Sequence, residues 1–304
     1  MYQRLNDNNP LFVLARSAAR PTRWWLIPIW LVLFTLAGVL GAIFPLESAE
    51  EAGLWPSAYG STGFLLAGYL PVVVIVFLWV HIREGRSIGS LGLNPRRAPA
   101  AFLIGFLGAA ILLTTAIGLM IATGYGEIGD TDSEFRGSAV LLPVLLVLAG
   151  WLVQGFAEEV MFRGWLLQNT GAQLGLVPAI AFSTLVFAVA HAFNPGVTAI
   201  SIVNLFLIGV LFALIALLEG GIWAATGFHV AWNWMQSNVY GFEVSGLTIG
   251  GGSILEVRTT TDEMISGGGF GFEGSIFATV VIMIGIGLAL AIAASQTASG
   301  ERQH

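Results

Sequence analysis

The sequence predicts an all-α fold, a polytopic membrane bundle of about eight transmembrane helices, and three observations carry that expectation. Of the 304 residues, 56% are hydrophobic and only 10% are charged, with a mean hydropathy of +0.83; a soluble domain carries about 25% charged residues. Apolar runs of about 20 residues, each long enough to cross ~30 Å of hydrocarbon, recur along the chain. The arginines collect in alternate connections between those runs, the asymmetry that orients membrane helices.

Taken in order, the first run covers about 24–45. It exceeds the roughly 7–15 residues of a signal-peptide core and no small-residue cleavage site follows it, so it is expected as a retained helix. Further runs cover about 61–81, 100–123, 138–168, 176–193, 197–218, 222–240 and 275–294. Breaks near Gly171 to Gly175, at Asn194-Pro195-Gly196 and at Glu219-Gly220-Gly221 predict short turns between the fourth and seventh helices. Arg4, Arg16, Arg20 and Arg23 precede the first helix, and Arg83, Arg86, Arg96 and Arg97 lie between the second and third. Those segments are expected on the cytoplasmic side of the cell membrane, and an even count of helices puts both termini there. The opposite connections, 46–60, 124–137 and 241–274, hold twelve acidic residues against only Arg136 and Arg258. The last of them contains ten glycines and a Glu256-Val257-Arg258-Thr259-Thr260-Thr261 stretch that could be a short strand; it reads as an exposed loop. The chain thus divides into N-terminal helices with their loops (1–137), a four-helix core (138–240) and a Gly-rich loop with a final helix (241–304).

Composition excludes several functions. There is no cysteine, hence no disulfide framework, thiolate metal site or cysteine nucleophile. A net charge of −6 without a basic run argues against nucleic acid, since phosphate binding needs clustered cations. All twelve basic residues are arginine, and this lysine-free, acidic composition points to a prokaryotic source. No internal repeat is visible, which weakens an inverted-repeat transporter.

Ionisable residues inside hydrocarbon cost roughly 2.5–3.5 kcal/mol each, so those that persist are candidates for function. Here they are Glu158, Glu159 and Arg163 on the fourth helix, His191 on the fifth, and His229 with Asn233 on the seventh; His81, beside Arg83, reads as interfacial. Glu159 and Arg163 stand four apart in the favourable acid-first order and should pair. Glu158 points about 100° away round the helix and is left for another neighbour, where burial would raise its pKa toward the range useful for proton transfer. Glu158 lies about 20 Å above the Gly171–Gly175 turn, and His191 reaches a comparable height on the other arm. Phe187, one turn before His191, is placed to wall the site. His229 and Asn233 share a face and enter at a similar depth. A buried ion cluster or a polar helix–helix seam would use the same residue types. Three helices presenting polar groups at one level are harder to explain as glue.

The run Glu158-Glu159-x-x-x-Arg163, then Phe187-x-x-x-His191, then His229-x-x-x-Asn233 resembles the three-motif signature of the CPBP family, the CaaX proteases and bacteriocin-processing enzymes that include Rce1-like type II CaaX prenyl proteases and abortive-infection proteins. The match spans about 145–240, with no departure at the motif positions, and Ser90-Leu91-Gly92-Leu93 resembles a further segment of the family. The resemblance implies an intramembrane endopeptidase acting on a membrane-associated peptide substrate, lipidated in eukaryotic relatives, with residues 138–240 as its catalytic core. It implies Glu158 and His191 holding and deprotonating a water, His229 and Asn233 donating to the oxyanion, and Glu159 with Arg163 in support. The family has been described both as metalloproteases and as glutamate-dependent. Zinc held by Glu158, His191 and His229 is chemically legitimate, but with no His-Glu-x-x-His helix the metal-free form is the expectation carried forward. The rivals are a proton-coupled transporter and a non-catalytic immunity or scaffold protein.

Overall fold

The computed structural model describes residues 5–53, 57–129, 137–259 and 262–301; of the residues named above, Arg4, Arg136, Thr260 and Thr261 lie outside them. A short helix α1 (Pro10–Arg16) opens the described chain, capped by the Asn9 side chain and started by proline, whose missing N–H costs a first turn nothing. It lacks the length of a membrane helix, which is why the hydropathy pattern passed over it. Then follow α2 (Ile27–Glu51), α3 (Ala58–Leu78), α4 (Ala98–Ala122) and the strand β1 (Gly126–Gly129). Next, α5 (Leu141–Glu159) runs through a π-helical stretch, Val160–Leu167, into α6 (Gln168–Leu174). The remainder is α7 (Leu176–Ala190), α8 (Ala199–Glu219), α9 (Trp223–Trp234), the strand β2 (Glu256–Thr259), the single turn α10 (Glu263–Ser266) and α11 (Ile276–Glu301).

All eight apolar runs are helical, and the molecule is a multi-pass membrane bundle. Six helices are long and apolar enough to cross on their own. The exceptions are α7, at 15 residues, and α9, at 12 residues before a π turn at Met235–Val239. α7 ends where His191 enters the site, and α9 continues directly into its π turn. Pro71 sits within α3 without ending it, as neighbouring helices in a membrane bundle permit.

Glycine sets how closely the central helices approach. A Cβ on Gly105 of α4 would lie 1.8 Å from the Ala224 carbonyl oxygen, and one on Gly227 of α9 would lie 2.0 Å from that of Phe102. The α4/α9 crossing is therefore a backbone-to-backbone contact that any side chain would force apart. On the other face of α9, Gly155 of α5 meets Val230 with only 2.8 Å for a Cβ. This double contact draws α9 between α4 and α5 and presents His229 and Asn233 to the end of α5.

The two ends of the bundle are built differently. At the arginine-bearing end, Gln173 donates to the Thr22 carbonyl and accepts from the Trp24 N–H, while Ile222 N–H donates to the Gly92 carbonyl across a left-handed Gly92. Glu84 and Arg86, in the polar connection after α3, are buried side chains paired at 2.7 Å. The other Glu84 oxygen accepts from Thr22 Oγ1 at 2.6 Å and Trp165 Nε1 at 3.1 Å, and Arg86 reaches Ser90 and Gln168.

At the opposite end, β2 pairs antiparallel with β1, Gly126 opposite Thr259, so the expected short strand finds a partner that the sequence did not announce. The Gly-rich segment 241–274 is not the exposed loop expected. Phe270 and Phe272 are fully buried, Phe272 packs on Trp232 and Phe242, and Gly250 N–H donates to Ser61 of α3. Its glycines explain the discrepancy: a Cβ on Gly267 would meet the Gly271 carbonyl at 2.0 Å, so the turn closes on itself and folds inward instead of standing in solvent.

Candidate active site

The last turn of α5 delivers Glu158 and Glu159, and the π stretch that begins at Val160 follows at once. Such turns insert an extra residue and occur often at functional sites. Arg163 Nη1 donates to Glu159 Oε1 at 2.9 Å, the pairing expected, and Nη2 donates to the Gly209 carbonyl of α8 at 3.2 Å. The guanidinium is fully buried, 4.6 Å from the centre of the Phe187 ring and 4.9 Å from that of Phe212. Two aromatic faces and one carboxylate hold this cation where hydrocarbon alone would not.

Glu159 is more than Arg163's partner. The same Oε1 lies 2.9 Å from His229 Nδ1. A carboxylate can only accept, so Nδ1 carries the proton and the other ring nitrogen is directed away from Glu159. That nitrogen, Nε2, stands 3.7 Å from Glu158 Oε2. The ring is stacked on Phe212 with centroids 4.8 Å apart, and Phe187 meets it edge-on. A line of groups therefore runs Arg163, Glu159, His229, Glu158, with the first three locked by ion pair and stacking and the last left open. Glu158 is 5% exposed, and its Oε2 has no hydrogen-bond partner.

His191 follows the last residue of α7. Its Nδ1 donates to the Phe187 carbonyl at 2.8 Å, which fixes the tautomer and leaves Nε2 as a lone pair when the ring is neutral. Phe187 touches His191, His229 and Arg163 and lines the same cavity. One amide N–H of Asn233 is taken by Gln154 Oε1 at 3.0 Å, leaving the second free.

Glu158, His191, His229 and Asn233 line one cavity of about 50 Å³. At ~10–15 Å³ for each water centre, it has room for about three waters. A second space of about 290 Å³ shares Tyr69, Glu158 and His191 and extends between α2 and α3 along Gly38, Ala42 and Gly68. The sequence reading missed several lining residues: Tyr69, Gln154, Asn194, Ser245 and Glu273. Gln154 could have been found, standing one helical turn before Glu158 on the same face. Glu273 could not, because nothing in a glycine-rich stretch gives its direction.

Glu273 precedes α11 and is buried; Ser245 Oγ donates to its Oε1 at 2.5 Å. Burial pushes its carboxyl above the ordinary carboxylate range, against the Ser245 hydroxyl and the fields of His191 and His229, which pull it back. Ser245 itself, at φ 49°, is the one non-glycine in the left-handed region among the described residues, a strained conformation of the kind that gathers at working sites.

Zinc is the alternative weighed for Glu158, His191 and His229. Among the described residues no group of three or more His, Cys, Asp or Glu side chains is arranged to hold a metal ion. His229 Nδ1 is occupied by Glu159 and His191 Nδ1 by a carbonyl, so each ring offers only Nε2.

A comparison with curated proteins finds no match, and none of the solved structures matches the chain. Residues 140–235 match the family model of the Rce1-like type II CAAX prenyl endopeptidases, a segment that spans Glu158, Glu159, Arg163, Phe187, His191, His229 and Asn233 and ends before Ser245 and Glu273. Over residues 140–235, about a third of the chain, the protein is similar to the Rce1-like type II CAAX prenyl endopeptidases, a family of proteases.

Proposed function

We propose that the protein is an intramembrane endopeptidase that hydrolyses a peptide bond of a membrane-associated substrate by a water activated at Glu158. The observation that carries this is the state of Glu158: a buried carboxylate oxygen without a hydrogen-bond partner, 3.7 Å from His229 Nε2, on a cavity large enough for water. Left unsatisfied, such an atom costs about 1–3 kcal/mol, a penalty relieved by a water that donates to it. Glu158 takes that water's proton, and the Nε2 lone pair of His191 orients the water from the other side. As the carbonyl oxygen of the substrate gains charge, the free amide N–H of Asn233 donates to it, and so does His229 Nε2 when the ring carries its second proton. Glu159 holds the His229 ring through Nδ1, and Arg163 holds Glu159. The space along Gly38, Ala42 and Gly68 suits a substrate arriving from the lipid side, with an apolar tail beside the helices and its peptide at the cavity.

Cleavage of a fluorogenic, lipid-tailed peptide library by the detergent-purified protein tests the reading. Wild type is expected to cleave, Glu158→Ala to lose about 10²–10⁴-fold of kcat/KM, and a zinc chelator to leave the rate unchanged. Folded wild-type protein that cleaves nothing in a broad library, or a Glu158→Ala variant as active as wild type, ends it.

A further inference from the structure

The same cavity holds a second carboxyl group, on the far side of the chain from the matched segment. We propose that Glu273 is the general acid of the reaction, donating a proton to the departing amine while Glu158 takes one from water. This rests on the protease reading above.

Four observations place it. Glu273 and Glu158 line one cavity from different elements, the turn before α11 and the end of α5, so a peptide bond seated between them has a carboxyl group on each side. The Glu273 backbone is pinned: Asn204 of α8, 1% exposed, donates to the carbonyls of Glu273 and Ser275 at 2.8 and 2.9 Å and accepts from Thr279 at 2.6 Å. The side chain is aimed by Ser245, whose Oγ donates to Oε1 and whose backbone N–H also donates to the carboxyl group, which lines the cavity. Ser245 is in turn held by Asn194, which donates to its carbonyl at 2.9 Å and belongs to the turn that carries His191. A strained left-handed serine tied at both ends is an expensive way to fill a loop, and here its effect is to orient one carboxyl group.

Charge decides which form that group takes. The cavity lining contains no arginine among the described residues, and the groups facing Glu273 are His191, His229, the Ser245 hydroxyl and, across the cavity, Glu158. Arg163 is paired with Glu159, and Glu158 already brings a carboxyl group to the lining. A third carboxylate would stand uncompensated in a water-poor space, so the neutral acid is the favoured resting form.

The step balances as ordinary hydrolysis. The water oxygen bonds to the carbonyl carbon and its proton passes to Glu158. The carbon–nitrogen bond breaks, the nitrogen keeps the electron pair, and the Glu273 carboxyl proton is transferred to it. The Glu158 proton then returns to Glu273 through the cavity waters, and no other reactant is consumed.

The test compares two leaving groups on the full-length protein: a lipid-tailed fluorogenic peptide that wild type cleaves, and the same peptide with its scissile amide replaced by an ester of a nitrophenol. The phenolate departs without protonation. Glu273→Gln is expected to lose at least 100-fold on the amide yet stay within about threefold of wild type on the ester, whereas Glu158→Gln loses both. The alkaline limb of the amide profile should be absent from the ester profile. Thermal melts check folding, and Glu273→Asp, which keeps the acid, should recover part of the amide activity. Equal losses on both substrates in Glu273→Gln, or full amide activity, overturn the proposal while the protease reading stands. Wild type that hydrolyses neither substrate removes both.

Discussion

Two clusters of buried charge meet the continuous run of α5, its π stretch and α6, and differ in how they are completed. In one, both oxygens of Glu84 are engaged, by Arg86 on one side and by Thr22 and Trp165 on the other, and neither charged residue borders the central cavity. In the other, Glu159, Arg163 and His229 complete one another, but Glu158 retains an unpartnered oxygen on that cavity. Both contain a buried glutamate–arginine pair with aromatic neighbours. What separates a structural cluster from a reactive one is whether the last lone pair is closed by protein or left for water.

That distinction can be broken by exchanging the damage. Glu158→Gln should lower kcat/KM about 10²–10⁴-fold while the thermal midpoint in detergent stays near wild type, because the amide keeps the shape of the carboxyl group and an oxygen to accept from Tyr69. Glu84→Ala should do the reverse. Leaving Arg86 buried without its carboxylate costs about 3–5 kcal/mol, seen as a lowered unfolding midpoint, while the folded fraction keeps its turnover. If Glu84→Ala abolishes turnover in protein that still melts cooperatively near wild type, the two clusters do not divide the labour in this way.

Asn233→Ala probes the open side with a smaller effect. One oxyanion donor is worth about 10²–10³ in kcat, so kcat should fall by that order with KM little changed; a loss confined to KM would place Asn233 in binding instead. The smallest effect concerns pH. The folded chain holds the Glu273 carboxyl above the ordinary carboxylate range, so it keeps a proton that the unfolded chain releases. Stability from this group is therefore full below the ordinary carboxylate pKa and declines as pH rises through the raised folded value. The midpoint of Glu273→Gln, measured across the same range, should lack that decline.

Much of the cluster was legible in advance because it is local. The four-residue spacing of Glu159 and Arg163 dictates their pairing, and the same spacing relates Phe187 to His191 and His229 to Asn233. The bond between Glu159 and His229 was not legible, since it joins residues 70 apart in sequence. It depends on α9 being drawn against α5 at Gly155 and against α4 at Gly105 and Gly227. For the same reason Glu84 and Arg86 read as part of a polar connection, although helix packing buries them.

The sequence alone determined the membrane bundle, the helix order and the level at which polar side chains gather, because hydropathy and helical periodicity act over a few turns of chain. Only the tertiary structure decided which lone pairs are closed and which stay open, that the Gly-rich segment packs inward, and that Ser245 and Glu273 border the cavity. Glycine imposes no side-chain pattern of its own. Where such a segment comes to rest is fixed by the surfaces that receive it, here Trp232, Asn204 and Asn194.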